Sequence, residues 1–310
     1  MRRCLAIALL ACSCTAPNGS PPPTPEMPRM GEEGLTASEQ DFLLRLAERM
    51  RSPRNDTPTV MNGLERLLPQ WHGKQRMNEE RPLENVLTIE VVSHFDQVLE
   101  TFETGGRERR LIAAWALGFS RVPANGMGIE SPHAQAVEAL SGALEHSDDE
   151  MLRNELLALW KLGDPSTPTQ PLLDMMVRHH DPDVRANAAL ALGTVLTPAG
   201  AGRMSDSLLV ALEDSEPRVR LHAVGIAQRF PSPASSQRME QLLPREEWPY
   251  VRAAMATALG AARSRSAAPV LLEMLSSPRA VEVGAARVAL AQIFGEDRGP
   301  DPAAWADLVR

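Results

Sequence analysis

The chain has 310 residues, with 32 Lys and Arg against 40 Asp and Glu, 7 His, 3 Cys, 26 Pro and a net charge of −8. At 43% hydrophobic and 23% charged it has the composition of a folded chain, not a disordered one. Its acidic balance excludes a nucleic-acid binder, which needs excess Lys and Arg to meet phosphates. Aromatics make up only 4%. Ala and Leu fill the apolar quota, which favours helices over a sandwich of Val, Ile, Tyr and Phe. Lys74 and Lys161 are the only lysines, so Lys-based nucleophilic chemistry has almost no residues to draw on.

Residues 1–11 place Arg2 and Arg3 ahead of a short apolar run, Leu5 to Leu10. This is the pattern of an export signal and is too short for a membrane-spanning helix. Leu9-Leu10-Ala11-Cys12 resembles a bacterial lipobox, which implies cleavage before Cys12 and acylation of its thiol. Cys14 is a second candidate, and an ordinary secretory signal is the plainer alternative. All three cysteines lie within the first 14 residues, so the rest of the chain has no thiol and no disulfide. Ser13, not Asp, follows Cys12, and the resemblance implies a cell-envelope lipoprotein in the outer membrane, facing the periplasm. The cleaved form keeps 30 basic against 40 acidic residues, so its membrane attachment rests on acyl chains, not on anionic lipid. Residues 12–36 read as a tether, in which 15–36 contain Pro17, Pro21, Pro22, Pro23, Pro25 and Pro28 and, when extended, reach roughly 70 Å at about 3.1 Å per residue.

Residues 37–104 form an N-terminal helical region, either a degenerate repeat or a cap. Ser38 is expected to cap a helix carrying Phe42, Leu43, Leu46 and Met50. A second helix is expected over 59–68, and a third over 82–101 with Val86, Ile89, Val92, Phe95, Val98 and Leu99. The polar stretch from Pro69 to Arg81 reads as a connection.

Residues 105–310 are an array. Residues 182–193 (PDVRANAALALG) and 249–260 (PYVRAAMATALG) share a register, and 217–228 (PRVRLHAVGIAQ) lies between them. Related segments begin around Leu152 and Val281, so copies recur about every 30–35 residues, and Arg110 opens an earlier, more divergent copy. Pro182, Pro217, Pro249 and Pro278 sit at helix starts, where a missing N–H is harmless. Asp181 reads as an N-cap. Val184, Ala188, Ala191 and Leu192 form one apolar stripe, repeated by Val251, Met255, Ala258 and Leu259. Gly193 and Gly260 are expected to end these helices. Leu-rich helices around Leu172, Leu208 and Leu271 complete the pairs, so the fold class is all-α, an α-solenoid.

The pattern Pro-x-Val-Arg-x-x-Ala-x-x-Ala-Leu-Gly resembles the second helix of HEAT repeats of the bacterial type named after phycobilisome lyases. The resemblance covers roughly residues 105–295. It implies that these second helices line the concave side and that their arginines, Arg185, Arg220 and Arg252, bridge neighbouring repeats to acids such as Asp181, Asp183, Asp214 and Glu216. Glu282 stands where the last Arg belongs, so the ladder is expected to break there. The ending around Trp305 resembles the tail of bacterial HEAT proteins, with Trp305 as a cap over the last repeat.

No phosphate-binding glycine loop, Gly-x-Ser-x-Gly, His-Glu-x-x-His or Cys-x-x-Cys occurs beyond the leader. The paired His-Glu dipeptides of HEAT-like di-iron hydroxylases are absent too. Within His179-His180-Asp181-Pro182-Asp183, His180 and Asp183 are placed to converge on a metal. Adjacent histidines ordinarily diverge, however, and Asp181 has a capping role, so no metal, cofactor or catalytic residue is assigned. The acidic run Glu145–Glu150 reads as a solvated loop and lacks the ligand spacing of a calcium site. Trp115 and Leu111 are the candidate partner-binding residues, because Trp115 aligns with Leu190 at a position usually exposed on the concave face. Trp160 is assigned to the core. The expected function is that of a membrane-tethered scaffold binding a protein or peptide in the cell envelope without catalysis. The alternative is an envelope enzyme, a hydrolase or metal-dependent, on the same solenoid.

Overall fold

The computed structural model describes residues 37–51, 57–75, 81–122 and 130–309. The expected leader, the expected proline tether and Cys12, the expected lipidation residue, lie outside the described residues. Among those described there is no strand, and no helix is long and apolar enough to cross a membrane.

Three helices lead in: α1 (Ala37–Arg51), α2 (Thr57–Gln75) and α3 (Arg81–Ser93). Helical hairpins then follow one another. They are α4 (Phe95–Thr104) with α5 (Arg107–Leu117), α6 (His133–Ala143) with α7 (Asp149–Leu162), and α8 (Thr169–Arg178) with α9 (Pro182–Val195). After the short α10 (Pro198–Ala201) come α11 (Ser205–Ala211) with α12 (Pro217–Arg229), α13 (Pro233–Leu242) with α14 (Pro249–Ala261), and α15 (Ala268–Met274) with α16 (Ala280–Phe294).

The second helices α5, α7, α9, α12, α14 and α16 form one continuous row, each packed on the next. The stripe Val184, Ala188, Ala191 and Leu192 is buried, and so are Ala186 and Ala189 on other faces of α9. This helix is enclosed because α7, α8 and α12 all pack on it. Alanine suits the position: it costs no side-chain entropy in a helix and lets helix axes approach closely. The matching stripe Val251, Met255, Ala258 and Leu259 is buried in α14.

Local signals set the helix boundaries. Pro182, Pro217 and Pro249 occupy the first turns of α9, α12 and α14. Pro278 does not open a helix, since α16 begins at Ala280 with Arg279 as its N-cap. Asp148 caps α7 by accepting the Met151 amide at 3.0 Å, and Asp181 caps α9 by accepting the Asp183 and Val184 amides at 2.7 and 3.1 Å.

The glycine expectation needs correcting. Gly193 and Gly260 lie inside α9 and α14, which continue to Val195 and Ala261. Gly163 (φ 54°) and Gly295 (φ 83°) are the left-handed residues that end α7 and α16. Gly260 serves packing instead: a Cβ there would sit 2.5 Å from Ala289 Cα, so its missing side chain lets α14 and α16 touch.

The N-terminal region also differs from expectation. Ser38 lies inside the helix, which is described from Ala37 onward. The second helix runs through Pro69 to Gln75, so 69–75 is helix and not part of a polar connection, while 76–80 lie outside the described residues. The expected third helix is two helices, separated at His94, whose buried Nδ1 lies 2.9 Å from the Glu90 carbonyl. Val86, expected on its apolar face, is exposed. Phe42 and Leu46 of α1 pack with Val92 and Val122, while α2 packs on α3 and α5. At the other end Trp305 is fully buried, 6.4 Å from the Phe294 ring, and its Nε1–H donates to the Gly299 carbonyl at 2.9 Å. Trp305 therefore closes the last repeat as the sequence led one to expect.

Gly260→Ala should destabilise the protein by about 1–3 kcal/mol through overpacking. Gly193→Ala, whose new Cβ meets only Ile226 at 3.8 Å, should be neutral or stabilising by up to about 1 kcal/mol from helix propensity. Urea unfolding of both variants measures this difference.

Candidate functional site

The turns between paired helices are held by one repeated unit. Arg185 donates through Nε and Nη2 to both oxygens of Asp214 at 2.8 and 2.9 Å, and through Nη1 to the carbonyls of His179 and His180 at 3.0 and 3.2 Å. Arg220 repeats this one repeat later. It forks onto Glu246 with two 2.7 Å bonds and reaches the carbonyls of Asp214 and Ser215 at 2.8 and 3.2 Å. Arg153 also reaches forward into the next turn, to Asp181, through Nη2 alone and without the fork or the carbonyl bonds. The planar guanidinium suits this task because it satisfies a carboxylate and two carbonyls at once. The bond to Asp214 raises the Arg185 pKa, and the bond to Glu246 raises that of Arg220. Burial alone would raise the Asp181 carboxyl, but the Arg153 bond and two amides outweigh it and hold Asp181 below the usual range.

These rungs differ in two ways from those expected. Each arginine binds the acid of the following turn, so Asp181 belongs to Arg153 and not to Arg185. Asp183 pairs with Arg218, and Glu216 with Arg218 within its own turn. The ladder also does not break at Glu282. That residue is fully buried and receives Arg252 at 3.6 Å, Arg279 at 3.2 Å and the Ser277 hydroxyl at 2.7 Å. The last turn carries no acid at the usual place, and the Glu in the arginine position supplies the carboxylate instead.

Trp115 and Leu111 are half-buried on α5, packed against the core, with α2, α3, α4, α6 and α7 around that helix. Trp160 also packs against the core but is half-buried, not enclosed as expected. The exposed aromatics are elsewhere. Trp248 and Tyr250 flank Pro249 at the start of α14, with 55% and 57% of their surfaces exposed. Sequence reasoning missed them, although a signal existed. The equivalent positions are Asp181 and Asp183 in one repeat and Glu216 and Arg218 in the next, so aromatic residues stand where capping and charged groups belong. Trp248 makes no side-chain cap, and its amide donates to Glu246 at 2.9 Å.

Two clusters have chemical potential. His179 and His180 do not diverge: their rings stack with centroids 4.7 Å apart, and both Nε2 atoms face Asp149, at 3.8 and 2.9 Å. Asp183, the expected partner of His180, is engaged by Arg218 instead. In the second cluster, Ser131 Oγ lies 2.8 Å from His133 Nδ1, and His133 Nε2 lies 3.2 Å from Asp164. The Ser131 oxygen also accepts the Val122 amide at 2.9 Å and lies 3.2 Å from the Ser120 carbonyl. Arg121 takes the same Asp164 oxygen at 2.6 Å. The serine is saturated as a backbone clip and is not a free nucleophile.

Glu155 on α7 is fully buried, and burial pushes its carboxyl up to about 7. A 2.7 Å bond from the Ser147 hydroxyl and the charge of Arg110 act against that rise, while Asp148 adds to it.

The HEAT-repeat family matches residues 107–193 and 205–291, more than half of the chain. No curated protein matches the sequence. The Escherichia coli protein YibA superposes with a TM-score of 0.54 at 14% identity, over 90% of this chain and 99% of its own. An engineered protein superposes with a TM-score of 0.50 at 20% identity, over 64% and 96%. The complex of CpcE and CpcF of phycocyanin lyase from Nostoc gives a TM-score of 0.39 at 19% identity, over 88% and 92%.

Arg220→Ala should cost about 3 kcal/mol, because it strands the buried Glu246 carboxylate. Arg107→Ala, which removes an exposed pair with Asp148 and Glu150, should change stability little. Chemical unfolding compares the two. Glu155 generates a pH dependence of definite sign. The folded chain keeps its proton to about pH 7, while the unfolded chain releases it near 4.5. Stability is therefore lost as pH rises through that window. Glu155→Gln should unfold at a higher urea concentration than the parent at pH 8 and at nearly the same concentration at pH 5.

Repeated helical hairpins, a forward-reaching arginine ladder and a family match over most of the array agree, and the chain belongs to the HEAT-repeat family.

Proposed function

We propose that this HEAT-repeat solenoid is a non-catalytic scaffold for a protein or peptide partner, held at the outer membrane by a lipid on Cys12. One observation carries the binding reading: Trp248 and Tyr250 are more than half exposed at the start of α14, where the fold itself asks for polar residues. Large aromatics of this kind, beside arginines, are the residue types that dominate interface energies. Arg218, exposed on the preceding repeat, occupies the position equivalent to Tyr250. Trp115 and Leu111 form a secondary, shallower contact at the other end of the array. The anchor reading rests on the sequence Leu9-Leu10-Ala11-Cys12 and on the confinement of cysteine to the first 14 residues.

Crosslinking capture from native membranes tests both parts. The parent should capture one specific protein. Trp248→Ala with Tyr250→Ala should reduce that capture by about tenfold or more with no change in thermal unfolding, and Trp115→Ala should reduce it less. Undiminished capture by the double variant rejects this surface. Cys12→Ser should leave the membrane fraction and lose palmitate labelling. Labelling that persists there but vanishes in Cys14→Ser moves the anchor to Cys14.

A further inference from the structure

The turn between α8 and α9 and the first turn of α7 bring together Asp149, His179 and His180. One donor atom from each lies within 4.8 Å of the other two. We infer that these three residues bind a divalent late first-row cation of the zinc class, which fastens the α8–α9 turn to the preceding repeat.

The geometry is partly prepared. His180 Nε2 is 2.9 Å from one Asp149 oxygen, and His179 Nε2 is 3.8 Å from the other. Donors at about 2.0–2.2 Å from a tetrahedral ion stand roughly 3.3 Å apart, so small side-chain movements close the set. His180 is free to make them, its side chain being 78% exposed. The backbone that carries both imidazoles is fixed, because Arg185 Nη1 holds the His179 and His180 carbonyls and the His179 amide closes α8 on Met175 at 3.1 Å.

Asp149 is the acid the ladder does not use. Asp148 caps α7 and pairs with Arg107, Asp181 takes Arg153, Asp183 takes Arg218, and Asp214 takes Arg185. Among the described residues no Lys or Arg pairs with Asp149, whose carboxylate faces the two imidazoles. Two imidazoles and one carboxylate favour zinc, nickel or cobalt over magnesium or calcium, which require oxygen donors. The cluster is open to solvent, so water completes the coordination. In the metal-free protein His179 Nδ1 accepts the Asp181 amide at 3.2 Å, which places the ring proton on Nε2. On ligation that proton moves to Nδ1, the bond from Asp181 is given up, and Nε2 gains the metal. No net proton is released from a neutral ring.

The test uses the tag-free full chain with Cys4, Cys12 and Cys14 replaced by serine, so that thiols do not take the metal. Zinc should bind at one ion per chain in equilibrium dialysis and raise the melting temperature, and magnesium should do neither. Cobalt should develop visible absorption bands that zinc abolishes. His180→Ala and Asp149→Asn, which keep the metal-free melting temperature of the parent, should each weaken zinc binding by about tenfold or more and lose the zinc-dependent stabilisation. Zinc binding of undiminished affinity in both variants identifies an adventitious ion only and overturns the proposal. Absence of both the cobalt bands and the melting shift in the parent overturns it equally.

Discussion

A hairpin of two short helices cannot enclose its own apolar surface, and the whole structure follows from that constraint. In α9 the residues Val184, Ala186, Ala188, Ala189, Ala191 and Leu192 are all buried, yet α8 covers only one side of this helix. The rest is covered by α7 and α12, the second helices of the neighbouring repeats. Stability is therefore a sum of repeat and neighbour terms, and each end needs a substitute neighbour. Phe42 and Leu46 of α1, with α2 and α3, stand at one end, and Trp305 stands at the other.

Hydrophobic burial is non-directional, so it presses repeats together without setting their register. The arginine rungs supply direction. Arg185 and Arg220 each tie two carbonyls of their own turn to the carboxylate of the next, which fixes both the turn and the offset between repeats, while Arg153 and Arg252 supply the carboxylate link. The arrangement also shows how a ladder ends. Without a following acid, the Glu282 side chain takes the arginine position and accepts Arg252 from behind. The residues that stand apart are those this machinery leaves unused: Trp248 and Tyr250 on the surface, and Asp149 beside two stacked imidazoles.

The solenoid was legible because repetition is a local signal. Pro182, Pro217 and Pro249, the Val-Arg pairs and the alanine stripes each declare a helix start or face within a few residues. Helix ends were less legible. Gly193 and Gly260 look like terminators, but their role depends on a neighbour more than 25 residues away, as the Gly260–Ala289 approach shows. Pro69 reads as a breaker, yet α2 continues through it, and the periodicity over 82–101 conceals the interruption at His94.

Candidate sites were the least legible part. Whether a tryptophan is covered depends on what packs over it, and Trp115 is left half-buried on α5, whose neighbouring helices a single-helix register does not contain. The stacking of His179 on His180 arises because Arg185 shapes the turn, and their shared partner Asp149 lies in the preceding repeat. By itself the sequence determined the helical class, the repeat length and the confinement of cysteine to the first 14 residues, because all of these are encoded in short-range pattern. Only the tertiary structure decided which acid each arginine takes, which glycines serve packing and which aromatics reach solvent. Those are set by contacts between consecutive repeats, where a few ångströms of offset change every partner.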